Sequence, residues 1–183
     1  MSEEQLIKEI RINPDKFEKI YNQHYQTIFN YCYRRTGDFD TSKDITSEIF
    51  LKAYLNIHKF KWKDIPILSW LYRIATNEIN LFYRSQKYSP TFISEIYSNY
   101  LITVSLEDLV EEKSNAEAKL HKDKQFVQVQ DAIKELPLKY QEVISLKYFE
   151  QLKIKEIGTI LNKKEGTIKS LLSRGISKLK EKM

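Results

Sequence analysis

Glycine and proline are scarce in this 183-residue chain, with four of each. An all-β fold needs many tight turns built from such residues, so their scarcity disfavours it. Lysine, glutamate, leucine and isoleucine are plentiful, and these residues favour helices. Hydrophobic residues make up 42% of the chain, which is enough to form real cores. The length allows one or two small domains, and we expect them to be all-α.

The N-terminal part shows helical spacing of apolar residues in three successive segments. Gly37 and its neighbours break the first segment, and Pro66 marks the start of the third. Between them, residues 41–44 match a capping box, which predicts that the second helix starts there. We therefore expect three or four packed helices. The apolar positions of the first segment are Phe17, Tyr21, Tyr25, Ile28 and Cys32.

Residues 86–125 differ from the rest of the chain. They carry 5 basic and 7 acidic side chains, and few large apolar residues follow Val110. Such a composition favours a flexible linker between two small helical domains. We predict a first domain over 1–88, a linker over 89–115 and a second domain over 116–183.

Residues 156–179 predict a helix-turn-helix. Ile157 and Leu161 lie one turn apart on a short helix, and Ile168 and Leu172 begin the apolar stripe of a second. Gly158 has no Cβ and would let the two backbones approach closely. Asn162 tolerates the left-handed conformation that often ends a helix.

A polar face on the second of these helices is suited to duplex DNA. Residues 126–183 hold 12 basic and 7 acidic side chains, and such a basic excess suggests a phosphate-backbone partner. Hydroxyl groups, Lys and Arg on this helix would contact phosphates and base edges in the major groove. An amphipathic hairpin with a solvated polar face fits the same pattern. The candidate DNA contacts are Lys163, Lys164, Thr167, Lys169, Ser170, Ser173, Arg174 and Lys178.

The C-terminal segment, residues 135–181, resembles region 4 of extracytoplasmic-function sigma factors. The resemblance depends on Leu136-Pro137, Glu156-Ile157-Gly158, Gly166-Thr167-Ile168-Lys169-Ser170 and Ser173-Arg174-Gly175. The sequence departs from the family pattern at four positions. Gly158 and Gly175 stand where Ala is usual, Lys164 where a Ser cap is common, and Leu171 where a basic residue is frequent.

A second block, DITSEIFLKAY over residues 44–54, resembles the region 2 helix that binds the clamp helices of the polymerase β′ subunit. Asp44 and Glu48 are one helical turn apart, so their carboxylates share a face suited to a basic partner. The same positions also suit a capped helix with ordinary surface carboxylates. The resemblance implies that Asp44, Ile45, Glu48 and Phe50 bind core polymerase, with Ile45 mainly in the core.

Residues 69–85 resemble the promoter-recognition helix of region 2, and residues 58–66 correspond to the loop that captures a flipped base. Aromatic side chains can stack on unpaired bases, Lys and Arg can neutralise phosphates, and Asn can contact a base edge. An aromatic-rich core helix and a surface loop anchored by two rings are the alternatives. The implied contacts with melted promoter DNA are Lys59, Phe60, Lys61, Trp62, Lys63, Trp70, Tyr72, Arg73, Thr76, Asn77, Tyr83 and Arg84.

The sequence offers no pattern for catalysis or cofactor binding. His24, His58 and His121 are far apart, and Cys32 has no cysteine partner, so metal-ligand spacing is missing. The four glycines form neither a Walker loop nor a dinucleotide fingerprint. We expect a protein without enzymatic activity or cofactor. No signal peptide opens the chain and no apolar run approaches membrane-spanning length, so we expect it in the cytoplasm, without stable membrane insertion.

Taken together, the two blocks imply a sigma factor with a region 2 helical bundle and a region 4 helix-turn-helix. The expected partners are core RNA polymerase, through its β′ clamp helices and β flap, promoter DNA, and an anti-sigma factor. The main alternative is a helix-turn-helix regulator that binds DNA without core polymerase. A helical scaffold or adaptor without DNA-dependent activity is a third.

Overall fold

The computed structural model describes residues 2–60, 65–88 and 128–182, and within these ranges every regular element is helical. The all-α prediction is therefore confirmed. The predicted linker, 89–115, and the start of the second domain at 116 lie outside the described residues. The N-terminal bundle comprises α1 (Glu3–Ile12), α2 (Glu18–Thr36), α3 (Phe39–Asn56) and α4 (Ile67–Tyr88). The C-terminal bundle comprises α5 (128–134), α6 (Leu138–Ile144), α7 (Ile154–Leu161) and α8 (Glu165–Lys180).

Local residue chemistry explains where α2 ends and where α3 begins. Gly37 ends α2 in the left-handed region, at φ 71°, where a side chain would be strained. The predicted start of α3 at residues 41–44 is wrong. Asp38 caps this helix by accepting a hydrogen bond from the Thr41 backbone N–H at 2.7 Å. Asp38 is a stronger cap than Thr41 and comes first, so Thr41 lies inside the first turn.

A row of aromatic rings joins α2 to α3. Tyr21, Tyr25 and Phe29 succeed one another at intervals of four residues, with ring centroids 5.0 Å and 6.2 Å apart. Phe50 of α3 packs edge-on against Tyr21 at 5.0 Å, and Phe39 packs against Phe29 at 5.3 Å. Aromatic pairs in these geometries contribute beyond the area that they bury. The row therefore fixes the two helices along most of their length.

A buried polar network joins α2 to α4. The Tyr31 hydroxyl lies 3.0 Å from the Thr76 hydroxyl and accepts a hydrogen bond from Arg35 Nη1 at 3.2 Å. Arg35 is only 1% exposed, and its backbone carbonyl accepts a hydrogen bond from the Tyr83 hydroxyl. The same face of α4 is otherwise apolar, with Leu71 fully buried. These hydrogen bonds fix the orientation of α4 on α2.

In the C-terminal bundle, α6 continues into a π-helical segment, Ser145–Phe149. The backbone N–H of Glu150 bonds to the Ser145 carbonyl at 3.2 Å, which is the five-residue step of a wider turn. Gln151 then turns the chain with a φ of 55° before α7 begins. The wider turn places Phe149 and Glu150 towards the N-terminal bundle, where Arg34 of α2 contacts both.

Candidate nucleic-acid interface

The helix-turn-helix prediction matches the geometry of α7 and α8. Asn162 follows α7 in the left-handed conformation, with φ 52° and ψ 49°. The Lys163 backbone N–H then bonds to the Gly158 carbonyl at 2.9 Å. A Cβ at position 158 would lie 2.8 Å from the Lys163 carbonyl oxygen, so this turn requires glycine. The close backbone approach predicted at Gly158 and the left-handed conformation predicted for Asn162 are both confirmed.

The polar face of α8 is open to solvent. Ile168 and Leu172 are buried beneath it, at 0% and 7% exposure, and hold the helix on the bundle. Lys164 occupies the N-cap position, and its side chain makes no capping hydrogen bond with the backbone. The first-turn amides of α8 therefore have no side-chain cap, which suits an approaching phosphate. All of the predicted contacts of this helix-turn-helix are exposed, namely Lys163, Lys164, Thr167, Lys169, Ser170, Ser173, Arg174 and Lys178.

Gly175 of α8 packs directly against α6. A Cβ at this position would lie 3.1 Å from Ile144 Cδ1 and 3.2 Å from Tyr140 Cβ. Both distances are tighter than ordinary contacts, so glycine allows α8 to approach α6 closely. The absence of a side chain here favours a small separation between α6 and α8.

An exposed stripe runs along α3. Asp44 and Glu48 are exposed, whereas Ile45 and Phe50 are buried at 8% and 3% exposure and support the helix from beneath. Lys52 pairs with Glu48 at 3.2 Å and with Glu78 of α4 at 2.6 Å. The hydrogen bond with Glu78 raises the pKa of Lys52, so Lys52 stays charged and partly neutralises Glu48.

Two leucines extend this stripe and were missed by the sequence reasoning. Leu51 and Leu55 are 51% and 57% exposed. They lie seven residues after Asp44 and Glu48 respectively, a spacing that returns each leucine to the same side of a helix. That seven-residue spacing is the sequence signal that could have identified both leucines. The acidic-leucine stripe, as we call Asp44, Glu48, Leu51 and Leu55, presents charge at one end and apolar surface at the other.

The predicted promoter contacts on α4 lie on two faces. Arg73, Asn77 and Arg84 are exposed, as is Lys59 just before the helix. Trp70 is half-buried and packs on Phe60, with ring centroids 5.0 Å apart. Phe60 itself is only 6% exposed, and its carbonyl accepts a hydrogen bond from Arg11. The remaining loop candidates, Lys61, Trp62 and Lys63, lie outside the described residues.

Three other predicted α4 residues point inwards in this arrangement. The Tyr72 hydroxyl donates to Glu150 of the C-terminal bundle at 2.5 Å, and burial raises the pKa of Tyr72. Thr76 is 3% exposed and contacts Tyr31, while Tyr83 donates to the Arg35 carbonyl. Tyr72 is therefore inaccessible to DNA while the two bundles are in contact, and Thr76 is held within the N-terminal bundle itself.

Comparison with known proteins matches one protein family to each of the two bundles. The family Sigma-70 region 2 matches residues 20–88, and Sigma-70, region 4 matches residues 126–179. The ECF RNA polymerase sigma factor SigW of Bacillus subtilis is 32% identical over 171 residues, covering 92% of this chain and 89% of SigW. The chain belongs to the extracytoplasmic-function group of the sigma-70 family.

Solved structures share the fold of this sigma factor. CnrH in complex with the cytosolic domain of CnrY has a TM-score of 0.66 and 17% identity, covering 97% of this chain and 94% of CnrH. The sigma factor RpoE in complex with the anti-sigma factor NepR, from Bartonella quintana, has a TM-score of 0.62 and 17% identity. The match covers 91% of this chain and 95% of RpoE. Within the described ranges, no helix of this sigma factor combines the length and apolarity needed to cross a bilayer.

Proposed function

We propose that the two bundles of this sigma factor contact separate promoter elements while α3 holds the chain on core RNA polymerase. The polar face of α8 binds the upstream element as duplex. The exposed residues of α4, with the loop before it, bind the start-proximal element as it melts. The acidic-leucine stripe of α3 binds the β′ clamp helices, and the C-terminal bundle binds the β flap.

The exposed polar face of α8 carries this proposal. Its predicted DNA contacts are all exposed, they project from a helix with an uncapped N-terminus, and 12 basic against 7 acidic residues surround them in 126–183. A scaffold would not need this concentration of cations beside an open helix end. Two weak contacts with DNA suffice, because tethering both to one polymerase raises their effective concentration.

The acidic-leucine stripe distinguishes a sigma factor from a regulator that binds DNA alone. Its carboxylates suit basic side chains on a partner helix, and Leu51 and Leu55 supply apolar contact area. A duplex-binding regulator has no use for this surface, since carboxylates repel phosphate. The polymerase supplies the polymerisation chemistry, so the sigma factor contributes binding and no enzymatic activity, and it acts in the cytoplasm.

A protein that blocks these surfaces is a further expected partner. RpoE has the same fold and its solved structure contains the anti-sigma factor NepR. We expect a partner of that class to bind this sigma factor and to compete with core polymerase.

Transcription in vitro with core enzyme and a promoter library tests the proposal. The chain should select a subset of promoters that core enzyme alone does not select. Asp44→Lys combined with Glu48→Lys should abolish core binding in a pull-down without altering the circular dichroism spectrum. Asp15→Lys with Glu18→Lys makes the same charge change away from the stripe and should retain binding. DNA selection by the chain without core enzyme would favour the stand-alone regulator instead.

A further inference from the structure

Helix α1 binds the main chain at two points around the predicted base-capture loop, residues 58–66. Arg11, near the end of α1, donates a hydrogen bond from Nη2 to the Phe60 carbonyl oxygen within that loop. Glu3, at the start of α1, accepts a hydrogen bond through Oε2 from the Ile67 backbone N–H at 3.1 Å. Ile67 follows the loop directly and is the first residue of α4. Phe60 and Ile67 are therefore two anchors, and one short helix holds both.

Both anchors are backbone groups of buried residues that need a hydrogen-bond partner. Phe60 is 6% exposed and Ile67 is 2% exposed. The Ile67 amide lies in the first turn of α4, where backbone N–H groups have no carbonyl partner within the helix. A carboxylate at this end also interacts favourably with the partial positive charge of the helix N-terminus. The two side chains of α1 thus satisfy main-chain groups that are costly to bury unpaired.

The packing of α1 on the bundle makes it a firm support for the two anchors. Leu6, Ile7 and Ile10 bury its apolar face, at 9%, 2% and 1% exposure. Ser2 and Gln5 form a capping box that fixes its first turn. The two anchoring side chains are separated by eight positions in the chain, which correspond to about 12 Å along a helix axis. The length of α1 therefore sets how far apart the anchors lie.

The position of Phe60 determines where the neighbouring predicted DNA contacts lie. Trp70 packs on Phe60, with ring centroids 5.0 Å apart. Lys59 precedes Phe60 and is exposed, and its Nζ donates to Asn56 Oδ1 at 2.9 Å. Groups that bind a ligand are effective only when their neighbours hold them in the required geometry. A base that stacks on Trp70 therefore depends on the anchor at Phe60.

We propose that Glu3 and Arg11 are positioning residues that hold Phe60 and Trp70 in the geometry needed to bind melted promoter DNA. This inference rests on the proposed function of α4. Neither α1 side chain needs to contact DNA, because each acts through a main-chain group beside a predicted contact. The loss of either anchor then impairs promoter opening and spares core binding, which we assign to α3. A helix that only stabilised the bundle would affect both activities alike.

Fluorescence of Trp70 in the free chain tests the anchor at Phe60. The chain has two tryptophans, so Trp62→Phe leaves Trp70 as the sole emitter. Arg11→Met in that background keeps the side-chain stem and removes the donors, and acrylamide should then quench Trp70 more strongly. Lys8→Met removes the same charge from α1 at a side chain that is 67% exposed, and should leave the quenching unchanged. Arg11→Lys retains a charged donor and should restore part of the protection.

The anchor at Ile67 is tested in the same background. Glu3→Met removes the acceptor at the start of α4 and should also increase the quenching of Trp70, which lies one turn further along that helix. Glu3→Gln keeps an oxygen that can accept from the Ile67 N–H, so its quenching should stay close to that of the wild type. Glu4→Met is the matched control, because Glu4 is also acidic in the first turn of α1 but pairs with Lys8 at 2.7 Å.

Promoter opening is measured with core enzyme and a promoter selected in the library experiment, in chains that retain Trp62. Permanganate reactivity of unpaired thymines reports the opening rate, and a gel shift at low temperature reports the closed complex. Arg11→Met should slow opening by about tenfold, the factor that corresponds to loss of a hydrogen bond from a charged donor. Closed-complex formation and the core pull-down should be unchanged. Lys8→Met should match the wild type in all three assays, and Arg11→Lys should recover part of the opening rate.

Three outcomes would overturn the proposal. They are unchanged quenching of Trp70 in Arg11→Met and Glu3→Met, stronger quenching with a normal opening rate, and equal losses in opening and closed-complex formation. Circular dichroism verifies that each variant is folded. A wild-type chain that opens no promoter with core enzyme would refute the proposed function instead, and the quenching of the free chain would still decide whether α1 holds the anchors.

Discussion

Removal of the Tyr31 hydroxyl tests the buried network that orients α4. In Tyr31→Phe the ring remains, together with its edge-on contact with Tyr72 at 5.2 Å. The hydroxyl accepts from Arg35 Nη1 at 3.2 Å and lies 3.0 Å from the Thr76 hydroxyl. The change therefore removes two hydrogen bonds and leaves the void of a single oxygen atom.

The expected loss is large because both partners are buried. Arg35 is 1% exposed and Thr76 is 3% exposed, so water does not readily replace the missing hydroxyl. A hydrogen bond to a charged donor contributes about 1.5–3 kcal/mol, and the unsatisfied Thr76 hydroxyl adds to that loss. We expect Tyr31→Phe to lower the free energy of unfolding of the N-terminal bundle by about 2–4 kcal/mol.

Tryptophan fluorescence during urea unfolding isolates this effect, because both tryptophans, Trp62 and Trp70, precede the C-terminal bundle. Tyr33→Phe is the matched control. Tyr33 is 38% exposed, and loss of its hydroxyl should change the free energy by less than about 0.5 kcal/mol. If the two variants unfold with the same free energy, the Tyr31 network does not hold α4.

Four other changes have definite expected outcomes. Gly37→Ala should cost about 1–2 kcal/mol because its φ of 71° strains any side chain, and thermal melting should show the loss. Leu146→Ala should cost about 2–5 kcal/mol, measured by urea unfolding, because Leu146 is fully buried. Burial lowers the pKa of His24 below its ordinary value of 6.5. The neutral imidazole therefore contributes its full stabilisation above pH 6.5, and this stabilisation is lost as the pH falls through the pKa of the folded state. Unfolding at several pH values should show this decline, and His24→Gln should reduce it. Arg174→Ala should weaken duplex binding by about 1–3 kcal/mol if Arg174 contacts a base, or flatten the salt dependence if it contacts phosphate; no change in either would remove it from the interface.

Features set by neighbouring residues were predictable from the sequence. Gly37 and Asn162 adopt the left-handed conformation that ends a helix, and α4 begins immediately after Pro66. These outcomes depend on backbone preferences of single residues. The wrong start of α3 has the same local character, because Asp38 and Thr41 are both acceptable caps, and Asp38 is the stronger cap and comes first in the chain.

Features set by distant contacts were not predictable. Tyr72 was expected on an open surface, yet its hydroxyl bonds to Glu150, 78 residues later in the chain. Gly175 stands where Ala is usual in the family, and the structure shows that it lets α8 approach Tyr140 and Ile144. Sequence periodicity identifies which side of a helix is apolar, but it does not specify which other element covers a polar side.

The π-helical segment Ser145–Phe149 makes the chain sensitive to a single deletion. Each residue turns an α-helix by about 100°, so removing one residue from this segment would rotate Glu150 away from Arg34 while leaving the apolar core of α6 in register. One extra residue in a widened turn therefore decides whether an acidic group faces its neighbour or the solvent.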